Sequence, residues 1–224
     1  MRLIVEIYDE ETECIATVVF FEVNQIEELL PLLCLEEFYP QATYELERSD
    51  IQRINERFNL NIDTDASLVK LRGEMATDDL PYQIHTNREL ALMLAGEKPL
   101  SVFAGSFPPS SEVEEIPERL FDPYVATGRF IKKEYIEPVQ AGSEVMIRRV
   151  LYAFPTEYWR INAYILLLET AKKSGWSEGF ERMEGSLLGY TDQQNEAYID
   201  FMRTQTMARQ RKPESDEPGR IEPT

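Results

Sequence analysis

The pattern of apolar and polar positions predicts a β-hairpin at the start of the chain. Leu3, Val5 and Ile7 recur at every second position, which is the period of a β-strand. A polar stretch over residues 9–12 is followed by an apolar run over residues 14–21 that has almost no polar position. Such a run predicts a central strand that is covered on both faces. We expect the two segments to pair with each other.

Further strand-like and helix-like segments follow up to residue 153. Strands are predicted over residues 42–46, 68–72, 99–104, 130–136 and 145–153, and helices begin near Asn24, Ser49 and Thr86. Each helix start has Glu or Gln three residues later, which is the spacing of a capping box. The segment 105–117 is rich in Pro, Ser and Glu and predicts a loop, either a mobile flap or a solvated connection. Residues 140–143 lie between the last two strands and predict a second hairpin.

The character of the chain changes to helical after Pro155. Residues 157–173 are apolar on nearly all sides between 161 and 168, which predicts a buried helix. A second helix is predicted between Ser177 and Gly189. A third begins at Thr191, with Gln194 completing a capping box.

These elements predict an α+β fold with a mixed, largely antiparallel sheet and a C-terminal run of three helices packed on it. The most economical organisation is a single domain over residues 1–207. It has a possible subdivision into a sheet-containing part, 1–154, and a helical part, 155–207. The alternative is an N-terminal α/β half with a separate helical cap. Residues 208–224 have no hydrophobic period and three prolines after Lys212, which predicts a disordered tail.

Composition and charge narrow the function classes. The chain has 224 residues, 43% of them hydrophobic, and 41 acidic against 23 basic side chains, a net charge of −18. The first 70 residues hold 16 acidic and 5 basic side chains, a net of −11. This balance argues against a general nucleic-acid binder or an anionic-membrane binder, since both need clustered Lys and Arg. The acidity serves either solubility or the steering of a basic partner.

The cysteines and the apolar runs predict a cytoplasmic protein. Cys14 and Cys34 are too few for a disulfide scaffold, and both lie beside apolar residues, so we expect buried thiols. The first residues do not resemble a signal peptide, because a short apolar stretch meets acidic residues at once. The run 161–168 is shorter than the roughly 20 residues that cross a bilayer.

A search for catalytic and metal-binding motifs leaves one candidate. The chain contains no Gly-rich phosphate loop, no GxSxG, no HExxH and no CxxC pair, so no cofactor and no metal is predicted. Its single histidine, His85, is suited to acid–base chemistry near neutral pH. Glu89 lies one turn later and is placed to orient it, while Arg88 and Lys98 are candidate anion ligands. Arg72 is a further candidate residue of this site. The simpler interpretation is that Glu89 completes a helix cap and His85 merely precedes it.

The sequence therefore leads to one main hypothesis and two alternatives. The main hypothesis is a soluble acidic binding or regulatory protein that engages a basic protein partner, with a nucleic-acid mimic or inhibitor as a subtype and no direct binding of nucleic acid. The expected partner-binding residues are Asp9, Glu10, Glu11, Glu13, Glu36 and Glu37. One alternative is a small cytoplasmic enzyme with a site around His85, Glu89 and Lys98 beneath the 105–117 loop. The other is a structural subunit of a larger complex.

Overall fold

The structure, a computed structural model, describes residues 1–107, 116–139 and 145–211, with side chains as far as residue 207. It is an α+β fold with antiparallel sheets and C-terminal helices packed against a sheet, which confirms the predicted class. The strands are divided between two sheets. The predicted tail, 208–224, begins inside a helix whose backbone continues to Arg211, and its remainder lies outside the described residues.

The first sheet has four strands and contains the predicted N-terminal hairpin. Its strands are β1 (Arg2–Tyr8), β2 (Ile15–Glu22), β3 (Thr43–Glu45) and β4 (Leu68–Gly73), in the order β2-β1-β4-β3. β2 lies at the edge of the sheet, so the prediction of a central strand covered on both faces is wrong. Phe21 faces the core, whereas Phe20 on the other face is 44% exposed. An apolar run does not predict what lies against each face of a strand, and here Ile15, Val18 and Phe20 line a cavity.

Two helices cover one face of this first sheet. They are α1 (Leu30–Leu33) and α2 (Arg48–Phe58). Leu3 and Val5 of β1 pack there against Ile51 and Ile54 of α2, and all four side chains are fully buried. The cap of α2 is Glu47 rather than the predicted Ser49, because Asp50 reaches back to the Glu47 N–H.

The second sheet lies between two helical layers. Its strands are β5 (Leu100–Phe107), β7 (Met146–Ala153) and β6 (Ile131–Pro138), in that order across the sheet. One face packs on α3 (Glu89–Leu94) and α4 (Glu118–Ala126), and the other on α5 (Tyr158–Ser174) and α6 (Glu178–Leu188). The predicted hairpin between β6 and β7 is confirmed by their register, while its turn lies outside the described residues.

The C-terminal helices follow their predicted boundaries. The Ser177 hydroxyl accepts from the Phe180 N–H at the start of α6, and Gly189 ends that helix in the left-handed conformation. α7 (Asp192–Arg211) starts with the predicted capping box, in which Thr191 and Gln194 bond each other's backbone N–H. α5 is buried on one side only, since Leu166 is 62% exposed.

The predicted loop 105–117 is shorter than expected at its N-terminal end, while its C-terminal end agrees with the structure. β5 continues to Phe107, because residues 105–107 pair with β7. Pro117 precedes α4 directly. Residues 108–115 lie outside the described part of the chain. None of the helices in the described part is long and apolar enough to cross a membrane.

Candidate functional site

His85 lies in the segment that connects the two sheets, and it does not precede a capping box. Its carbonyl accepts a hydrogen bond of 2.9 Å from the Arg88 N–H, which closes a turn. Asn87 in this turn has φ of +60°, so the chain is not yet helical there. α3 therefore begins at Glu89, with Arg88 at the N-cap and no side-chain cap. The interpretation of Thr86 and Glu89 as a helix cap is wrong.

The structure brings the half-buried His85 and the buried Lys98 together in one cluster. The His85 ring stacks on Tyr190 with ring centres 3.9 Å apart and planes at 12°. The Tyr190 hydroxyl accepts from the His85 backbone N–H at 2.8 Å. The Lys98 ammonium is 3.2 Å from His85 Nδ1 and 3.5 Å from the Leu188 carbonyl at the end of α6. This cluster joins the connecting segment to the C-terminal helices.

Burial controls the protonation of this cluster. Burial, assisted by the charges of Lys98 and Arg88, lowers the pKa of His85 to about 3. Burial also lowers the pKa of Lys98 to about 8, and raises the pKa of Glu89. His85 is thus neutral at physiological pH, and its Nδ1 accepts from Lys98. A base with so low a pKa removes protons poorly, and Lys98 is only 3% exposed.

Arg72 is not part of this cluster, because its donors are engaged by Glu6 of the first sheet and Asp78 of the connecting segment. Its Nε donates to Glu6 at 2.7 Å, and its two terminal nitrogens donate to Asp78 at 2.7 and 3.0 Å. The Tyr8 hydroxyl donates to the other Glu6 oxygen at 3.0 Å. We call Glu6, Arg72 and Asp78 the charged triad. Together with Tyr82 it lines a cavity of about 320 Å³.

The predicted acidic residues of the hairpin turn are exposed, but they are not equivalent. Asp9 accepts two hydrogen bonds of 2.8 Å from Thr12, which lower its pKa. Glu13 forms a two-pronged ion pair with Arg119. Glu10 and Glu11 have no ion-pair partner among the described residues. The tip of the turn therefore carries uncompensated negative charge.

Glu36 and Glu37 are exposed as well, but they belong to the other end of the sheet. They lie in the loop leading to Pro40, whose carbonyl accepts from the Gly73 N–H beside the start of β1. The hairpin turn follows the end of β1. A strand of seven residues is about 20 Å long. The six predicted residues therefore do not form one continuous patch.

Sequence reasoning missed a second cavity, of about 260 Å³, between the connecting segment and α6 and α7. Tyr82, Tyr190 and Tyr198 line it. These tyrosines are separated by up to 116 positions in the chain, and no local pattern links them. As for metals, the described residues contain no group of three or more His, Cys, Asp or Glu side chains that could hold an ion.

A scan against protein-family models, a search of curated proteins and a search of solved structures each found no match to this chain.

Proposed function

We propose that this chain is an acidic binding protein that engages a basic protein partner through the tip of its N-terminal hairpin. The observation that carries this proposal is the pair Glu10 and Glu11. Both carboxylates are exposed at the tip, and no described cation neutralises them. Long-range attraction from such charges speeds the encounter with an oppositely charged surface.

The neighbouring loop adds to the charge at this end of the sheet. β4 starts at Leu68, which pairs with Tyr8 at the end of β1. The loop that leads into β4 carries the exposed Asp63 and Asp65, of which Asp65 is paired with Arg48. Lys70 is the next cation along the chain, and its ammonium lies over the Tyr8 ring. Carboxylates thus outnumber cations at this end.

The enzyme alternative has weaker support. His85 and Lys98 are in contact, as a catalytic pair would need to be. However, Lys98 is buried and His85 is half-buried, and neither lines the two cavities described above. The cluster is better suited to connecting the sheets to the C-terminal helices.

The test uses two double variants that change the net charge equally. Glu10→Lys with Glu11→Lys reverses the hairpin tip, and Glu36→Lys with Glu37→Lys is the matched control at the other end. The partner is first captured from the native host at low salt, with the immobilised full-length chain as bait. Its association with the wild type and with each of the two variants is then measured. Raising the ionic strength from about 0.05 M to 0.5 M shortens the Debye length about threefold.

We expect a basic partner whose association rate falls at least tenfold for the hairpin variant and with salt, while dissociation changes less. The control variant should retain most of the wild-type rate. Equal rates for the two variants, or a partner indifferent to salt, would show that the acidity serves solubility, and the proposal would be wrong.

A further inference from the structure

The second cavity combines aromatic walls with negative charge. Tyr82 and Tyr190 meet edge to face with ring centres 5.8 Å apart, and Tyr198 from α7 completes the aromatic lining. Burial, together with the other two tyrosines, raises the pKa of Tyr82 to about 12. The ring is therefore neutral and offers its electron-rich face at physiological pH.

The charged side chains that line this cavity are both acidic: Glu181 and Glu184 of α6. Glu184 accepts from the Tyr164 hydroxyl at 2.6 Å, and Glu181 from the Trp176 indole at 2.5 Å. Each of these bonds uses one carboxylate oxygen. The other carboxylate oxygen of Glu184, and that of Glu181, accepts no hydrogen bond from the described residues.

Two cations lie near residues of the cavity without lining it themselves. The Lys98 ammonium is 5.8 Å from the centre of the Tyr190 ring. The positive charge of Arg149 partly offsets the effect of burial, which raises the pKa of Glu184. Among the described residues, no Lys or Arg side chain lines the cavity. At about 260 Å³ it is slightly smaller than the pockets of about 300–1,000 Å³ that hold drug-sized ligands.

We propose that this pocket binds an organic ammonium ion, held against the tyrosine rings and facing Glu181 and Glu184. A cation over an aromatic face is attracted by the ring quadrupole, and aromatic pockets recognise quaternary ammonium groups in this way. Two sources carry this chemistry: a free small amine, and a lysine or methylated lysine side chain of a protein. The inference does not depend on the hairpin, whose residues line no part of the pocket.

The experiment titrates the full-length chain with choline and with 3,3-dimethylbutan-1-ol, which has the same shape but a carbon in place of the nitrogen. Calorimetry measures both affinities. We expect choline to bind at least tenfold more tightly than its neutral analogue. Lysine and trimethyllysine, each capped at both ends, form the second arm. Tighter binding of a capped lysine than of choline assigns the pocket to a protein side chain, and the reverse assigns it to a free amine.

Variants locate the binding. Tyr198→Leu should weaken choline binding at least tenfold, whereas Tyr198→Phe keeps the ring and should stay within threefold of wild type. Tyr82→Leu serves as a second test if Tyr198→Leu fails to fold. Glu181→Gln keeps the shape and should weaken binding severalfold. The hairpin variant with Glu10→Lys and Glu11→Lys should bind choline as wild type does, so failure here and failure of the hairpin proposal are separable.

Three results would overturn the inference. One is equal affinity for choline and the neutral analogue, which would make the pocket merely apolar. Another is saturable choline binding that survives in folded Tyr198→Leu and Tyr82→Leu proteins, which would place it elsewhere. The third is the absence of binding by every ammonium probe.

Discussion

The two sheets are both antiparallel, yet they differ in how their faces are covered. The second sheet has helices on both faces, so Leu151 and Tyr152, which point to opposite sides of β7, are both fully buried in apolar clusters. The first sheet has helices on one face. Its other face is approached by the connecting segment, which brings Asp78 onto Arg72 and leaves a cavity.

This difference concerns how completely a sheet face is covered and not whether it carries charge, since Glu137 is buried beneath α5 and pairs with Arg149 and Lys172. A helix presents a continuous stripe of side chains and can exclude water from an apolar strand. An irregular segment carries unpaired backbone groups and polar side chains, and it covers the sheet incompletely. Glu6 and Arg72 are tolerated on the first sheet because each charge finds an opposite charge and additional hydrogen bonds.

The helical cover of the second sheet gives the largest expected effect. Leu167 and Leu166 are neighbours in α5, but Leu167 is 2% exposed and Leu166 is 62% exposed. Leu167→Asp should cost several kcal/mol or prevent folding, because it places an unpaired charge in the core. Leu166→Asp should change stability by only about 0.5 kcal/mol. Chemical denaturation measures both, and equal losses would contradict the assignment of the buried face.

The charged triad of the first sheet can be compared with the ion pairs of the second. Arg72→Leu should destabilise the protein by about 3–5 kcal/mol, since it leaves the buried Glu6 and the half-buried Asp78 without their cation. Arg148→Leu removes contacts to Glu118 and Glu134, but these carboxylates are partly exposed and Lys132 still contacts Glu118. Its cost should be about 1 kcal/mol. Denaturation midpoints of the two variants give the comparison, and a larger loss for Arg148→Leu would reverse it.

His85 lies at the junction between the two sheets, and it should make the free energy of unfolding depend on pH. Its pKa is about 3 in the folded protein, against about 6.5 in an unfolded chain. Between these values the unfolded chain binds the extra proton, so the free energy of unfolding falls as pH falls from about 6.5.

Because the chain has one histidine, a single imidazole resonance reports this directly by NMR. It should not titrate between pH 8 and 5. The variant His85→Gln should lose the dependence of stability on pH between 6.5 and 5. A titration midpoint near 6.5 in the folded protein would show that His85 is exposed.

The smallest effect concerns the two thiols, and it involves no loss of stability. Cys14 is buried among side chains of the second sheet and accepts from the Ala91 N–H at 3.4 Å. Cys34 was expected to be buried too, but it ends α1 in a left-handed conformation and is exposed. A thiol reagent should therefore modify one cysteine per chain rapidly under native conditions, and Cys34→Ser should abolish that fast phase. A fast phase that persists in this variant would mean that Cys14 is accessible.

Much of the fold was determined by the sequence on its own, because strands and helix ends depend on near neighbours. The alternation in β1 and the caps at Ser177 and Thr191 involve residues within a few positions of each other. One helix escaped prediction: α4 contains Pro123 in its interior, and proline normally breaks the pattern that identifies a helix.

Only the tertiary structure decided which faces are buried and which side chains meet. Arg72 contacts Glu6 across 66 positions, and His85 contacts Tyr190 across 105. The position of β2 at the edge likewise follows from the pairing of β1 with β4. Periodicity predicts which face of a strand or helix is apolar, but it does not predict which residues pack against that face. Segments far apart in the chain bury His85 and Lys98. This burial lowers the pKa values of both side chains.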